Sequence, residues 1–557
     1  MKTGAQLLID TLIEEGVEIV FGFPGGSVIP IFDVLYDTKA IRLILTRHEQ
    51  GAVHAADGYA RATGKVGVCL STSGPGATNM VTGIATANMD SIPVVMISGQ
   101  VKSTLIGNDA FQESDVTGIM RPITKYTMLV KDVNKLQESV KKAFHIARTG
   151  RPGPVVLDLP VDVTQAKTKE KKGIVVDIPG YKPNFEGNVN QIKKAADMIN
   201  KAERPILYVG GGVISSSASA VLLETAEKAN IPVTTTLMGL GAFPETHALA
   251  LKMLGMHGTG YANHAIMESD VIIAVGARFD DRVTGRLDSF APNAKVIHID
   301  IDPTSLSKNV EVDIPVVGDA RLVLVEMVKY LEYRERQPWI KQIAEWKTQF
   351  PLTYKRDGAG LKPQFVVEKI WEVSKGEALI TTEVGQNQMW AAQFYKFTKP
   401  RTFISSGGLG TMGYGLPAAI GVQLAFPDAV VVDIAGDGSI QMNIQELNTA
   451  QRLGLPINIV ILNNGYLGMV RQWQELFYNK RYSSTDLSDN PDFVKLAEAY
   501  GCEGIRVTKP AEVEPALKAA FKSRKVCVID CIVDREENVF PMVPAGEALN
   551  RMIGGMA

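Results

Sequence analysis

The amino-acid sequence predicts an α/β protein with three domains, each built on a parallel β-sheet that helices cover on both faces. Three observations support this prediction. Apolar runs alternate with helical stretches, most runs end in Gly, Asp or Asn, and two charged segments divide the chain. A chain of 557 residues is too long for one hydrophobic core, and at roughly 150 residues per domain it should form three or four units.

Short apolar runs rich in β-branched residues recur almost throughout the chain. Typical examples are VGVCLSTSG, GPVVLDLP, RPILYVGGG, VIIAVGARF, KVIHIDID, AVVVDIAGDG and INIVILNNG. Because these runs are apolar at consecutive positions and are separated by helical stretches, they indicate parallel strands buried on both faces. The Gly, Asp and Asn residues at their carboxyl ends stand where ligands bind in sheets of this kind.

Two charged segments interrupt the alternation of strands and helices. The first, QAKTKEKKGIVVDIPGYKPNFEGN, is charged and then rich in Pro and Gly. The second runs from about Tyr330 to Lys362 and has a charged, helical pattern. We therefore expect domains at residues 1–165, 190–335 and 365–540, followed by a tail at 541–557.

Composition and charge argue against several classes of partner. The chain has 58 Lys and Arg against 60 Asp and Glu, without a basic stripe, so neither nucleic acid nor a membrane is an expected partner. The N-terminal stretch lacks the features of a signal or transit peptide, and the apolar runs are shorter than the ~20 residues of a membrane span. The four cysteines have no metal-binding spacing. We expect a cytoplasmic protein of enzyme size.

The strongest indication of a binding site lies in the third domain. The run AVVVDIA leads into Gly436, Asp437 and Gly438, and the run INIVIL leads into Asn463 and Asn464. The 27 residues between Asp437 and Asn464 suit a strand–helix–strand unit, which would place both side chains at adjacent strand ends. Such oxygen ligands suit Mg²⁺, and the glycines allow a diphosphate to approach the backbone. The alternative is an ordinary turn at a strand end.

A second indication lies in the first domain, where the motif RHEQ follows the run IRLILT. Taken alone, Glu49 of this motif is as well explained by a helix cap on the surface. Thiamine chemistry, however, requires a partly buried carboxyl that hydrogen-bonds the aminopyrimidine ring and promotes its imino tautomer. A carboxyl of this kind and a magnesium–diphosphate site together fit thiamine diphosphate.

The middle domain contains a third indication, a Gly-rich turn at Gly210–Gly212 after one strand and Asp300 at the end of another. A turn and an acid in these places resemble a dinucleotide site, although the turn holds no complete GxGxxG motif. The string that does match, from Gly408 to Gly413, belongs to the third domain. The residues alone leave open a generic nucleotide-binding domain or a scaffold that has lost its ligand.

Several longer motifs resemble one enzyme family over nearly the whole chain. They include FGFPGGSVIPIFD, RHEQGAVHAADGYARATG, TSGPGATN, GRPGPVVLDLP, LMGLGAFPETH, LGMHGTGYAN, GARFDDRVTG, GDGSIQMNIQEL and LNNGYLGMVRQWQELFY. The chain resembles the catalytic large subunits of the acetohydroxyacid synthase (acetolactate synthase) family, the FAD-containing anabolic type. The resemblance implies three flavodoxin-like or Rossmann-like domains, and an active site between the first domain of one subunit and the third domain of another.

The resemblance implies a reaction and its cofactors. Pyruvate is decarboxylated on thiamine diphosphate with Mg²⁺, and the two-carbon unit is joined to a second pyruvate or to 2-oxobutyrate. FAD is bound without a redox role in this reaction. The implied partners are the two 2-oxo acids, further copies of the chain in a dimer or tetramer, and a small regulatory subunit.

The resemblance also implies roles for individual residues. Glu49 is the acid that activates the cofactor, and Gln112 and the backbone near Gly26 are the other catalytic groups. Mg²⁺ is held by Asp437, Asn464 and the backbone carbonyl of Tyr466. The thiamine diphosphate site comprises Glu49, Gln386, Asn387, Gly410, Thr411, Met412, Asp437, Gly438, Ser439, Asn464, Tyr466, Leu467, Gly468 and Met469.

For FAD, the implied contacts come from the middle domain and from one arginine of the first. They are Arg151, Gly211, Thr236, Leu237, Leu254, Gly255, Met256, His257, Gly276, Ala277, Arg278, Phe279, Asp280, Asp300, Ile301 and Asp319. The substrate contacts are Phe111, Met469 and Trp473, and the indole favours 2-oxobutyrate. Without the resemblance, Met412 would be taken for core filling and Trp473 for interface packing.

Three positions depart from the family's usual pattern. Val161 stands where the family has Lys, which removes a positive charge from the rim of the active site, and Lys102 and Asn387 also differ. We expect Val161 to change the response to inhibitors that contact this rim, and Lys102 to replace part of the lost charge. None of the three departures affects Glu49 or the magnesium ligands.

Two alternatives were weighed against this function. One is a catabolic acetolactate synthase without FAD, or another thiamine-dependent 2-oxo acid decarboxylase or carboligase. Trp473, Arg151 and the motif GARFDD favour the FAD-containing type, and Glu49 argues against glyoxylate carboligase. The other alternative is an inactive flavin- or nucleotide-binding regulatory protein, which predicts the loss of Glu49 or Asp437.

Overall fold

The computed structural model describes residues 1–356 and 360–554. It contains three six-stranded sheets in which every pair of neighbouring strands runs parallel. The predicted α/β class with parallel sheets is therefore confirmed. Residues 357–359 of the second charged segment and 555–557 of the tail lie outside the described residues.

The first sheet has the chain order 2-1-3-4-6-5. Its strands, from edge to edge, are Arg42–Leu45, Ile19–Gly22, Gly67–Ser71, Val94–Gln100, Val155–Pro160 and Tyr126–Leu129. The α-helices of this part are Gly4–Glu14, Ile29–Asp37, Glu49–Thr63, Pro75–Thr78, Val81–Met89, Val116–Met120, Leu136–Arg148 and Val161–Gln165. Short 3₁₀ turns are Gly26–Val28, Ser103–Leu105, Arg121–Ile123 and Val133–Lys135.

The middle sheet has the chain order 3-2-1-4-5-6, which is the doubly wound order of dinucleotide-binding domains. Its strands, from edge to edge, are Ala250–Met253, Val233–Thr235, Pro205–Val209, Val271–Val275, Lys295–Asp300 and Ile314–Val317. The α-helices here are Val189–Lys201, Gly211–Ser215, Ser219–Ala229, Gly260–Met267, Asp281–Thr284, Ala320–Met327 and Gln337–Gln349. The 3₁₀ turns are Leu237–Gly239, Leu287–Ser289, Pro303–Ser305 and Val328–Tyr330.

The third sheet repeats the 2-1-3-4-6-5 order of the first. Its strands, from edge to edge, are Phe403–Ile404, Leu379–Thr382, Val431–Gly436, Ile457–Asn463, Cys527–Ile532 and Glu503–Val507. Its helices are Pro363–Ser374, Gln386–Phe394, Gly415–Ala425, Glu446–Arg452, Gly468–Phe477, Phe493–Ala499 and Pro510–Lys522, with a 3₁₀ turn at Ile440–Asn443. A further two-stranded antiparallel pair joins Lys2–Thr3 to Lys167–Thr168.

Side chains on both faces of the strands are buried, as the consecutive apolar positions predicted. In the strand Val94–Gln100, Val94 and Met96 belong to one hydrophobic core, and Val95 and Ile97 belong to another on the opposite face. The first of these cores also contains residues of the third sheet's strands and helices. The first and third sheets therefore share one core, which fixes their carboxyl-end loops relative to each other.

Two helices rich in Gly and Ala form the centre of this shared core. Helix Glu49–Thr63 packs against helix Gly415–Ala425, and glycines allow their backbones to approach closely. A Cβ atom at Gly421 would lie 2.0 Å from the carbonyl oxygen of Ala55. The first helix begins where the His48 ring accepts a hydrogen bond from the backbone of the helix's first turn, and it ends at a residue in the left-handed conformation.

The helix of the second charged segment, Gln337–Gln349, packs on the middle part of the chain. Its Trp339 is buried and donates a hydrogen bond from the indole to the carbonyl of Pro205, at the start of a middle-sheet strand. In the residues that the structure describes, no helix has the length and apolar character that a membrane span needs.

Candidate functional site

A cavity of about 600 Å³ opens at the carboxyl ends of the middle sheet. It lies where strands Pro205–Val209 and Val271–Val275 adjoin, the point at which the strand order reverses. Ligands bind at this point in doubly wound sheets. Glycines bring the two strand ends together, because a Cβ at Gly210 would lie 2.1 Å from the carbonyl oxygen of Gly276.

Almost all the residues implied for FAD by the resemblance lie around this cavity. Gly255 and Phe279 are the exceptions, since Gly255 forms a turn and Phe279 packs against the rings of Tyr208 and His298. Those that line the cavity are Arg151, Gly211, Thr236, Leu237, Leu254, Met256, His257, Gly276, Ala277, Arg278, Asp280, Asp300, Ile301 and Asp319.

The wall of the cavity contains polar groups that lack protein partners. The Tyr208 hydroxyl, His257 Nδ1 and Trp473 Nε1 are buried, and none has a hydrogen-bond partner among the described residues. Burial lowers the pKa of His257 to about 4, so its ring is neutral near pH 7. A large ligand that is partly polar and partly apolar, such as a flavin dinucleotide, fits a cavity with these features.

Asp300 lies on the cavity wall at the end of strand Lys295–Asp300. Burial raises the pKa of its carboxyl to about 6, and a hydrogen bond from the backbone of Asp302 opposes the rise. Arg151 approaches from the first sheet's part of the chain, and its Nη1 lies 3.4 Å from Asp302 Oδ2. The cavity is thus closed by residues distant in the sequence.

At the carboxyl edge of the third sheet, the structure brings together the predicted magnesium ligands. Asp437 and Asn464 follow neighbouring strands that are paired in register at Gly436 and Leu462. Asp437 is 1% exposed, and its Oδ2 accepts a hydrogen bond of 2.7 Å from Asn490. Burial raises the pKa of Asp437 to about 6. A bound cation would favour its ionised form, so this carboxylate fits a metal ligand.

The predicted set is not a cluster of acidic or sulfur ligands. In the described ranges, no group of three or more His, Cys, Asp or Glu side chains is placed to hold a metal. One carboxylate, one amide and one backbone carbonyl would instead leave room for phosphate oxygens and water, which Mg²⁺ commonly retains.

The other third-domain residues of the thiamine site lie around the same strand ends. Asn464 Nδ2 donates to Gln386 Oε1 over 3.0 Å, and a Cβ at Gly468 would lie 2.0 Å from that oxygen. A Cβ at Gly438 would lie 2.8 Å from Leu467 Cδ2 and 3.9 Å from Met412 Cε. Asn387, Ser439, Thr411, Gly410, Tyr466 and Met469 belong to the same loops or to the first turns that follow them.

Some residues predicted for thiamine diphosphate and for the substrate line the same cavity as those predicted for FAD. Gly410, Met412, Met469 and Trp473 line it together with the middle-sheet residues. The Trp473 ring meets the ring of Phe477 edge-on at 6.3 Å. Trp473 therefore lies in the cavity wall, and its substrate role stays a prediction.

The first-domain residues predicted to be catalytic lie in the loops and first turns that follow the strands of the first sheet. Glu49 begins its helix, is 8% exposed, and accepts a 2.9 Å hydrogen bond from Asn79. Gln112 adopts φ 59° and packs its backbone against Gly74, in the loop that follows the strand Gly67–Ser71. None of Glu49, Gln112, Gly26 and Phe111 lines the shared cavity. The predicted magnesium ligands Asp437, Asn464 and Tyr466 do not line it either.

Exposure differs within this first-domain group. Phe111 is 88% exposed, and a Cβ at Gly26 would meet no atom of the chain within 4 Å. The positions of Lys102 and Val161 follow neighbouring strands paired at Gln100 and Pro160, so the two departures occupy one rim. Lys102 is exposed and Val161 is half-buried.

Sequence reasoning missed several residues of the site. Arg282 lines the cavity with its guanidinium 5.7 Å from the Trp473 ring centroid, and its place in the motif GARFDDRVTG was the available signal. Met238 and Gln388 also line the cavity. Glu446 Oε1 accepts hydrogen bonds from the backbone N–H groups of Arg47 and His48. These partners are 399 and 398 residues away in the sequence. No pattern in the sequence indicates that contact.

Comparison with known proteins identifies the family. Three family models match, described as the N-terminal TPP binding domain, the central domain and the C-terminal TPP binding domain of thiamine pyrophosphate enzymes, at residues 2–119, 192–327 and 383–531. The chain is 51% identical to the acetolactate synthase large subunit of Haemophilus influenzae, over 99% of this chain and 98% of that protein.

Two further relatives come from a bacterium and an archaeon. The chain is 51% identical to the acetolactate synthase isozyme 3 large subunit of Escherichia coli, over 99% of this chain and 98% of the relative. It is also 51% identical to the probable acetolactate synthase large subunit of Methanocaldococcus jannaschii, over 99% of this chain and 95% of the relative. The chain therefore belongs to the acetolactate synthase large-subunit family of thiamine pyrophosphate enzymes.

Proposed function

We propose that this protein decarboxylates pyruvate and joins the two-carbon unit to a second 2-oxo acid. A second pyruvate gives 2-acetolactate and 2-oxobutyrate gives 2-aceto-2-hydroxybutyrate, the first common step in the biosynthesis of valine, leucine and isoleucine. One observation carries the proposal: Gly410, Met412 and Met469, implied for thiamine diphosphate, line the same cavity as most of the residues implied for FAD. The chain is also 51% identical to acetolactate synthase large subunits over nearly its whole length.

Thiamine diphosphate, when bound, supplies the carbon nucleophile and the acceptor for the electrons released with carbon dioxide. Asp437, Asn464 and the Tyr466 carbonyl hold Mg²⁺, which in turn holds the diphosphate. The buried Asp437 carboxyl supports this assignment, because a divalent cation would compensate a charge that otherwise lacks an ionic partner at hydrogen-bond distance among the described residues. Gln386 orients Asn464 through their hydrogen bond.

The loop from Gly410 to Met412 positions the ring system of the cofactor. Met412 would support the ring system of the bound cofactor from the cavity wall. Its exposure to the shared cavity supports this role. Gly438 keeps the backbone accessible to the diphosphate, because no Cβ fits there without displacing the side chain of Leu467.

Glu49 holds a proton between its carboxylate and a ring nitrogen of the pyrimidine. The resemblance implies an active site between two subunits, so Glu49 comes from another copy of the chain. Gly26, Phe111 and Gln112 come with it and complete the substrate pocket. The active form is therefore at least a homodimer, with two sites related by symmetry.

The middle-sheet cavity binds FAD, which has no redox role in the main reaction. The Gly-rich turn at Gly210–Gly212 accommodates the pyrophosphate at the point where the strand order reverses. Tyr208, His257 and Trp473 offer polar atoms without protein partners, which supports a ligand that is polar along part of its length.

Substrate choice depends on Met469 and Trp473. Apolar contact between the indole and the additional methyl group of 2-oxobutyrate favours this acid over pyruvate. One methylene is worth only about 1–3 kcal/mol, so a preference rather than exclusion is expected. Gln112 and the backbone near Gly26 stabilise the oxygen that develops charge when the second acid is attacked.

Further parts of the proposal concern partners, domains and location. The relatives are named large subunits, which supports a separate small subunit that regulates this chain. Domain bounds at 1–165, 190–335 and 365–540, with a tail at 541–557, and a cytoplasmic location remain predictions. Limited proteolysis and cell fractionation test them.

Product formation from pyruvate tests the proposed reaction, with thiamine diphosphate, Mg²⁺ and FAD omitted in turn from the purified chain. Acetolactate that requires all three supports the proposal. Acetolactate without FAD would indicate a catabolic synthase instead, and acetaldehyde as the only organic product would indicate a simple decarboxylase.

A further inference from the structure

A short segment of the first sheet's part of the chain contacts both halves of the shared cavity. This 86–91 segment runs from Thr86 to Ser91, at the end of helix Val81–Met89. Met89, Asp90 and Ser91 line the cavity. None of its residues belongs to the cofactor or substrate sites described above.

On one side, the 86–91 segment holds the loop that carries Met412. The Asp90 carboxylate accepts hydrogen bonds from the backbone of Gly407, at 3.0 Å, and of Gly408, at 2.7 Å. The Thr86 hydroxyl lies 2.7 Å from the Thr411 hydroxyl. These contacts fix the Met412 loop at three points, and charge-assisted bonds to backbone N–H groups are among the stronger hydrogen bonds in proteins.

On the other side, the segment contacts the flavin half of the cavity. The Ser91 hydroxyl accepts a 2.8 Å hydrogen bond from Arg151 Nε, and the same guanidinium pairs with Asp302. Ser91 has φ 61°. This left-handed conformation is uncommon for residues other than glycine and persists where the surroundings fix it.

Buried ion pairs keep the segment rigid. Arg61 Nη2 lies 2.9 Å from Asp90 Oδ2, and Arg61 Nε lies 2.6 Å from Asp57 Oδ1. Asp57 also accepts a hydrogen bond from the Tyr414 hydroxyl, just beyond the Met412 loop. Because all four side chains are buried, a displacement at one end of this network would leave charges unpaired in a medium of low dielectric.

We propose that the 86–91 segment couples the binding of FAD to the binding of thiamine diphosphate. A dinucleotide in the cavity fixes Arg151 and Ser91, and Asp90 and Thr86 carry this order to the Met412 loop. The proposal rests on the proposed function and gives FAD a positional role in a reaction that needs no redox step. Coupling of this kind is reciprocal, so each ligand raises the affinity for the other by the same factor.

Calorimetry of the full-length chain tests the coupling without measuring activity. The Kd of thiamine diphosphate, at fixed Mg²⁺, is measured with and without saturating FAD. In the wild type, FAD should lower this Kd by about 5-fold or more. Ser91→Ala and Thr86→Val should bring the ratio close to one, because each removes one hydroxyl contact and preserves the ion pairs.

Thr11→Val is the matched control. Thr11 and Thr86 are both fully buried helical threonines that donate to the carbonyl four residues earlier, but the Thr11 hydroxyl has no partner in another part of the fold. Its variant should keep the wild-type ratio. Asp90→Asn is a third test, since it preserves the shape of the side chain and removes the charge that the Gly407 and Gly408 N–H groups bind.

Three results would overturn the coupling. One is a wild-type ratio of one, the second is an undiminished ratio in both Ser91→Ala and Thr86→Val, and the third is an equal loss in Thr11→Val. Failure of the wild type to bind thiamine diphosphate or FAD at all would instead overturn the proposed function, and this proposal with it.

Discussion

At the scale of single residues, burial determines which carboxyl groups of this protein are charged. It raises the pKa of Asp437 and of Asp300 to about 6, because both side chains lie at strand ends inside the protein. A metal or an arginine nearby favours the ionised form again. Cofactor sites of this enzyme therefore depend on ligands to complete their electrostatics.

Glu245 provides a pH-dependent test of such burial away from the thiamine site. Its Oε1 is buried without a hydrogen-bond partner among the described residues, and its Oε2 accepts from the backbone of Phe397. Burial raises the pKa of Glu245 from 4.5 to about 7. Between these values the folded state keeps a proton that the unfolded state releases, so the wild type loses stability as pH rises.

We predict that Glu245→Gln removes this loss. The difference in melting temperature, wild type minus variant, should decrease as the pH rises from 4.5 to 7. The corresponding loss in the free energy of unfolding is at most about 3 kcal/mol. The exposed Glu224→Gln, measured in the same way, should show no such trend. A difference between wild type and Glu245→Gln that stays constant with pH would contradict the assignment.

Glu49→Gln should abolish most of the activity and leave cofactor binding intact. The amide cannot hold the proton that the carboxyl shares with the pyrimidine ring, and such groups contribute about 10²- to 10⁴-fold to rates. We expect kcat to fall within this range while the Kd of thiamine diphosphate changes by only a few-fold. A variant that keeps more than half of its kcat would contradict the role of Glu49.

The rim at Lys102 and Val161 should govern inhibitor access. Val161→Lys restores a positive charge there, so it should change inhibition by a sulfonylurea and raise the rate of carboligation. Lys102→Ala should reduce activity more than a surface change such as Lys142→Ala does. Unchanged turnover and inhibition in Val161→Lys would show that this rim charge has no function.

Sequence patterns predicted some residues of the site but not others. Asp437 and Asn464 were predictable because both follow apolar runs, and the carboxyl ends of neighbouring parallel strands meet. Asn490, which contacts Asp437, was not predictable, because it stands in an irregular segment 53 residues away. Asp90 was missed for the same reason, since its partners Gly407 and Gly408 are more than 300 residues distant, at separations of 317 and 318.

At the scale of elements, close helix packing determines how the first and third sheets are joined. Helices Glu49–Thr63 and Gly415–Ala425 cross with backbone contacts that only glycines permit. The first of these helices carries Glu49 at its start, and the second follows the Met412 loop. Any change in their spacing would move catalytic groups at both ends.

Gly421→Ala should therefore destabilise the protein, although alanine is the better helix former. The new methyl group would lie 2.0 Å from the Ala55 carbonyl oxygen, and overpacking of this kind costs about 1–3 kcal/mol. Thermal unfolding measures the effect. Glu345→Ala, on an exposed helix face, is the control and should change stability by less than about 0.5 kcal/mol. A Gly421→Ala protein as stable as wild type would refute the close approach.

Among the elements of the fold, the β-strands were predicted best from the sequence. Runs such as KVIHIDID and INIVIL became strands with both faces buried, because consecutive apolar residues suit the interior of parallel sheets. The order of the strands within each sheet was not predictable. In the first and third sheets the sixth strand lies between the fourth and the fifth, and this arrangement depends on long-range packing. The segment that contains Gln337–Gln349 was expected as a linker with a charged, helical pattern, and the structure has a helix there. Its buried Trp339 shows that this helix packs on the middle part of the chain.

At the scale of the whole molecule, the implied catalytic residues divide between two parts of the chain. Met412, Met469 and Trp473 line the cavity, while Glu49 and Gln112 do not. Symmetric association of two copies would supply each cavity with the missing group. We therefore propose that the dimer, rather than the single chain, is the unit of catalysis.

Acetolactate formation by mixed dimers tests this central claim most directly. A Glu49→Gln chain and an Asp437→Asn chain, each inactive alone, are co-expressed with different affinity tags, and dimers that carry both tags are isolated. One of the two sites then combines both substitutions and the other has neither, so about half of the wild-type activity is expected. Mixed dimers as inactive as either parent would show that Glu49 and Asp437 act within one chain, or that the proposed roles are wrong.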